Sequence, residues 1–326
     1  MQLSTLSRSS AGILFILVGI VTISINDVLI KELSGGYPLH QVVFARSAIA
    51  LAFILVIVRY EGGWSILRTR QPWLHLARGG LVVVANMTYF VALAVLPLAD
   101  ATALFFVAPL FITVLSIPIL GEKVGPMRMA AVVVGFAGVV IMQRPWAGQD
   151  TMQASRLVLM LPVLSALAYA LMQLMTRKLG ATTKASALAV YIQTTFIAVS
   201  LGFYLVAGDG RFAAGSDNTS VQFLLRAWIW PDPADWALLL GLGVNSAITG
   251  YCLSQAYRLT DAATVAPFEY VGLPLAVTWG WLFWAEFPSW EVWLGMLLII
   301  GAGLFVFLRE QQKARRVART KIKRRF

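Results

Sequence analysis

Two stretches decide how this chain folds: residues 96–126, LPLADATALFFVAPLFITVLSIPILGEKVGP, and residues 258–288, RLTDAATVAPFEYVGLPLAVTWGWLFWAEFP. Each opens on a similar start, LPLADAT (96–102) or RLTDAAT (258–264), and runs through an apolar segment that contains proline. Each then reaches Gly121-Glu122 or Ala285-Glu286, turns at Pro126 or Pro288, and enters a Gly-rich apolar stretch. A spacing of about 160 residues is too long for a solenoid. It marks a chain made of two similar halves.

Working outward from these stretches, ten segments approach the roughly 20 apolar residues that a membrane-spanning helix needs. They are 11–32, 39–58, 79–97, 100–120, 127–143, 157–177, 185–206, 235–257, 262–285 and 291–308. The runs are continuous and lack the period-two alternation of barrel strands, so all read as helices. Residues 11–32 end on Asp27 and Lys31 without a small-residue cleavage site, so no removable signal peptide is expected. Five helices per half is an odd number, which makes the two halves run in opposite senses across the membrane. The expected fold is therefore an all-α integral membrane protein of ten helices in two inverted five-helix repeats, the architecture of alternating-access carriers. The expected division is a cytoplasmic N-terminus (1–10), a first repeat (11–146), a second repeat (147–308) with an external loop at about 207–234, and a basic tail (309–326).

Composition agrees. Of the 326 residues 59% are hydrophobic and 13% charged, against about 25% charged in soluble domains. Mean hydropathy is +0.77. The single cysteine, Cys252, excludes a disulfide framework, and two histidines, His40 and His75, cannot build a His-rich metal site. No cofactor or metal is expected. The net charge of +11 is concentrated behind the last apolar segment, where nine of 26 Lys and Arg lie between Arg309 and Arg325. Placing the N-terminus in the cytoplasm puts eleven further Lys and Arg on that side, Arg78 among them, and five on the other. Both termini are then cytoplasmic. The tail is expected to rest on anionic lipid rather than nucleic acid, since no folded nucleic-acid module accompanies it.

The stretches DVLIKELSGGYPLHQVVFARS (27–47), LPLADATALFFVAPLFITVLSIPILGEKV (96–124) and APFEYVGLPLAVTWGWLFWAEFP (266–288) resemble the EamA-type transporters of the drug/metabolite transporter superfamily. The resemblance covers nearly the whole chain except the tail. It implies ten helices as two inverted repeats, secondary transport across a bacterial inner membrane, and a small-molecule substrate. Similar members move amino acids, nucleotide-like compounds, riboflavin, S-adenosylmethionine and drugs, so it does not select a substrate. The longer loop at 207–234 and the basic tail depart from the family pattern.

Ionisable side chains at membrane depth are costly and mark function by default. Asp27 lies four residues before Lys31, so the pair reads either as a local ion pair or as a titratable carboxylate that binds a proton or a cationic group. Aligning Lys31 with Arg177 sets Gln173 opposite Asp27. Arg46, mid-helix, either pairs with Asp27 or a helix end, or anchors a substrate carboxylate or phosphate. Glu269 sets against Ala108 when counted from Asp261 and Asp100, and is the first candidate for reversible protonation, with Asp27 the second. Asn86, Tyr89, Gln193, Asn245 and Tyr251 either line a cavity or make interhelical hydrogen bonds of roughly 0.6–2 kcal/mol. Phe105 and Tyr270 either stack on a substrate ring or fill core. Asp100 and Asp261 read as helix N-caps, and Glu122 and Glu286 as acceptors for backbone donors in their hairpins. Helices 5 and 10 are expected to stand away from the cavity.

The function expected is a secondary transporter of a small polar or zwitterionic metabolite (an amino acid, nucleoside-like compound or vitamin), either proton-coupled or an exchanger. The alternatives are a facilitator or channel without proton coupling and, further off, a membrane-embedded enzyme. No HExxH, GxSxG or Walker A motif is present. The oligomeric state is left open between monomer and homodimer.

Overall fold

The computed structural model describes residues 8–121, 125–144, 146, 155–179, 183–260 and 268–323. Among these every regular element is helical. In the first half they are α1 (Arg8–Leu33), α2 (Leu39–Glu61), α3 (Pro72–Leu93), α4 (Leu98–Phe105), α5 (Ala108–Leu120) and α6 (Pro126–Met142). In the second they are α7 (Arg156–Leu179), α8 (Ala185–Ala207), the short α9 (Thr219–Leu225), α10 (Trp236–Leu259), α11 (Gly272–Trp284) and α12 (Trp290–Lys323). Among the described residues seven segments are long and apolar enough to cross a membrane, and two shorter ones, Met129–Met142 and Trp290–Phe305, are apolar. The expected span 262–285 is described only from residue 268 onward. Asp261 and Glu122 lie outside the described residues.

The bounds of the two halves match. The elements α2 and α8 each have 23 residues, and both bounds are 146 positions apart. The elements α5 and α11 each have 13 residues, and each ends on a left-handed residue, Gly121 or Ala285, 164 positions apart. The starts of α3 and α10, and of α6 and α12, also differ by 164. This register sets Glu269 opposite Phe105 rather than Ala108, because the apolar helices after the break, rather than the Asp100 and Asp261 starts, fix the spacing.

Contacts between the halves are reciprocal. The α1–α10 contact is matched by α7–α3, α1–α11 by α7–α5, and α10–α2 by α3–α8, while α2 packs on α8 and α6 on α12. Close approach at Gly79 against Thr195 recurs at Gly243 against Ile49, with the same two spacings. Side chains at either glycine would meet the neighbouring helix, so these residues let the backbones approach.

Three expectations are corrected. The helix expected at 79–97 begins at Pro72, whose fixed φ and missing N–H suit a first helical position. It therefore takes His75 and Arg78 inside. The helix expected over 100–120 breaks at Phe106–Val107, since Pro109 has no N–H to continue the ladder. Asp100 is the third residue of α4 rather than its N-cap, a position held by Pro97. The N–H of Leu98 instead donates to Glu286 across the molecule at 3.0 Å. The loop after α8 is structured: Asn218 caps α9, and Gln41 exchanges two hydrogen bonds with the Ile229 backbone.

Candidate functional site

The helices of both halves surround a cavity of about 230 Å³. Residues of α1, α2, α3, α4, α7, α8, α10 and α11 line it, and none from α6 or α12 does. The latter two helices pack on each other instead through Gly138, Gly295 and Met142. Breaking α4 from α5 puts Phe105 and Phe106 at the cavity wall, where a continuous helix would hold them in ladder register.

Asp27, 7% exposed, accepts from the Tyr89 hydroxyl at 3.3 Å, and that hydroxyl also meets Thr102 at 3.0 Å. Of the two readings of Asp27, the ion pair with Lys31 does not form. Lys31 reaches past it to Glu286 at 2.7 Å and to the Leu96 carbonyl, because its long stem lets the ammonium leave the buried face. Arg144 pairs with Glu291 at 3.1 Å close by, so this end of the bundle carries a seam of ion pairs.

Arg46 is 5% exposed and makes no ion pair within 4.0 Å among the described residues. Its Nη2 donates to Asn86 Oδ1 at 3.0 Å, and its guanidinium lies over the rings of Phe90 and Phe196 at 5.3 and 5.0 Å. No described residue accepts from its Nε. Gln193, one turn before Phe196, likewise has a buried Oε1 without a partner among the described residues. Buried polar groups are normally satisfied, so the unmet groups of Arg46 and Gln193 mark the wall between them as a place for a ligand.

On the other wall Tyr257 donates to Glu269, which is 6% exposed. Tyr257 also hydrogen-bonds Tyr169, which accepts from Gln173 at 2.6 Å. Phe105 stands between the two carboxylates, edge-on to Tyr89 at 5.4 Å and to Tyr169 at 5.2 Å. The arrangement offers a guanidinium, two tyrosine-bonded carboxylates and an aromatic wall facing a small volume. It is suited to holding a polar compound with an apolar ring. Among the described residues no three His, Cys, Asp or Glu side chains gather as a metal site.

The structure thus brings Asp27, Arg46, Asn86, Tyr89, Phe105, Gln193 and Glu269 to one cavity. It places three other candidates elsewhere. Asn245 donates to the Thr22 carbonyl at 2.6 Å and ties α10 to α1. Tyr251 donates to Glu61 at 2.8 Å, near the end of α2. The buried Tyr270 hydroxyl lies against Gly303 with no hydrogen-bond partner among the described residues. Sequence reasoning missed Arg78, Tyr169 and Tyr257. Pro72 was the signal that could have put Arg78 inside a helix. No sequence signal separates the two tyrosines from other aromatics in the spans.

A profile of the EamA-like transporter family matches residues 10–144. A riboflavin transporter of Rhizobium johnstonii is 32% identical over 96% of this chain and 96% of its own. An S-adenosylmethionine uptake transporter of Rickettsia prowazekii is 28% identical over 92% and 94%. A pseudopaline exporter of Pseudomonas aeruginosa is 29% identical over 90% and 94%. A solved crystal structure covers 93% of this chain and 98% of its own at 19% identity with a TM-score of 0.65, a likeness of fold.

Proposed function

The chain belongs to the EamA-like transporter family, and from that premise we propose that it is a secondary carrier of a small polar or zwitterionic metabolite bearing a ring. As a member of that family it is a transporter rather than an enzyme, and its partner is a small molecule. The ten spans, the inverted repeats, the cytoplasmic termini in a bacterial inner membrane and the lipid-bound tail belong to this proposal. Matching element bounds and reciprocal contacts between the halves support the repeats. The distribution of Lys and Arg supports the orientation.

The observation that carries the function is the cavity itself: both halves line it, and Asp27, Arg46 and Glu269 meet an aromatic wall there. Arg46 with Asn86 takes an anionic or carbonyl group, Asp27 takes a cationic group or a proton, and Phe105 with Tyr89 and Tyr169 faces the ring. The named substrates of the relatives, riboflavin and S-adenosylmethionine, each join a heterocycle to polar groups, and such compounds fit this chemistry. Glu269, held by Tyr257, takes up and releases the coupling proton, because a carboxylate at membrane depth is tolerated when protonated and costs several kcal/mol when ionised and unpaired.

The test is a thermal-shift panel of riboflavin, S-adenosylmethionine and amino acids on the purified protein, followed by uptake into proteoliposomes. A ligand of the native state raises the melting temperature, and that ligand should show saturable counterflow. Flux that never saturates would contradict the carrier reading. Glu269→Gln should abolish pH-driven uptake and spare binding and exchange. Loss of binding at every pH would instead make Glu269 a substrate anchor.

A further inference from the structure

Arg78 has no part in the proposal above, yet it too lines the cavity. It is 3% exposed. Its Nε donates to Thr176 of α7 at 2.7 Å and its Nη1 to the Leu188 carbonyl of α8 at 3.3 Å. No described carboxylate lies within ion-pair distance, and no described residue accepts from its Nη2. One turn earlier on α3, His75 is 6% exposed and neither ring nitrogen has a hydrogen-bond partner among the described residues. A helical clamp between α3, α7 and α8 needs donors only, and an uncharged glutamine would supply them. A buried guanidinium adds a desolvation cost of several kcal/mol that a hydroxyl and a carbonyl only partly offset. In folded proteins such a charge is paired, and among the described residues no carboxylate supplies that partner.

Arg78 and Asn86, the partner of Arg46, lie eight residues apart on α3, which is about 12 Å along its axis. The two guanidinium groups therefore face one cavity at different depths. We propose that Arg78 is a second anion-binding station, nearer the start of α3, which receives the carboxylate or phosphate of the substrate after Arg46 releases it. The inference rests on the carrier reading and adds to it that the substrate bears an anionic group. Thr176 and the Leu188 carbonyl hold the guanidinium fork in place, so that Nη2 is left for the anion. Two stations suit a carrier better than one, since an anion held by a single buried cation would leave slowly.

The test uses the full-length protein in nanodiscs and measures its melting temperature against inorganic phosphate and against acetate, at constant ionic strength. Wild type should be stabilised in a saturable way by at least one of the two anions. Arg78→Gln, which keeps the clamp's donors, should weaken the apparent affinity about tenfold. Arg78→Lys should recover most of the effect, and Arg46→Ile with Arg78→Gln together should remove it. Should Arg78→Gln retain the full anion response while Arg46→Ile loses it, the second station is refuted and the carrier reading survives. A loss in Arg78→Gln with none in Arg46→Ile would uphold the station and refute the role given to Arg46. No anion response in wild type overturns both assignments. A response to phosphate and not acetate identifies a phosphate-bearing substrate, and the reverse identifies a carboxylate.

Discussion

At corresponding positions of the two halves, Arg46 of α2 stands where α8 has Ile192, and Arg78 of α3 stands where α10 has Leu242. Asp27 corresponds in position to Gln173, and Glu269 to Phe105. The helix bounds agree to the residue in several elements, and the close approach at Gly79 recurs at Gly243. Features that hold helices together thus occur twice, while the buried charges occur once. A device needed for packing has a reason to recur in both halves. A device needed for one substrate moving one way does not, and the contrast separates scaffold from site more sharply than burial does.

The comparison can be broken by giving one half the residue of the other. Arg46→Ile should cost the largest effect, a loss of about 100-fold or more in uptake, because it removes a buried cation from the cavity wall. Stability should be unchanged or slightly higher, since replacing an unpaired buried charge with an apolar side chain is often neutral or stabilising. Uptake in proteoliposomes and a melting curve check the two arms. Gly243→Val and Gly79→Val should do the opposite. Each forces a side chain against α2 or α8 and should destabilise by about 1–3 kcal/mol, with no change in substrate specificity in whatever protein folds.

Smaller effects sharpen the contrast. Lys31 and Glu286 bridge the halves at one end, so Lys31→Met and Glu286→Gln should be non-additive by about 0.5–3 kcal/mol in a double-mutant cycle. Asn245→Ala removes one hydrogen bond to Thr22 and should cost about 0.6–2 kcal/mol with uptake retained. If Asn245→Ala instead abolished uptake at normal stability, Asn245 would belong to the site and the division between scaffold and site would be less clean.

Much of this was legible in the sequence for physical reasons. Apolar runs of spanning length fix helices whatever their tertiary contacts, so α1, α2, α7, α8 and α10 fall close to their expected bounds. Glu269, Arg46 and Asp27 were visible because a charge at membrane depth is expensive. What the sequence hid depends on partners in space. Lys31 lies one turn from Asp27, and only the folded hairpin shows that Glu286 takes it. Glu286 caps Leu98, a contact between residues 188 positions apart. Arg78 was hidden because charge counting assigns an arginine near a span boundary to the loop. Tyr251 and Tyr257 are one helix, six residues apart, and no pattern shows that one meets Glu61 and the other Glu269.

The central claim is that the unshared charges, set in a shared scaffold, carry transport. Its most direct measurement is uptake into proteoliposomes by a variant carrying Arg46→Ile, Arg78→Leu and Asp27→Gln, the residues found at the matching positions of the second half. The account predicts a folded protein, with a melting temperature at or above that of wild type, that takes up no substrate. A folded variant that still transports at a rate near wild type would contradict it.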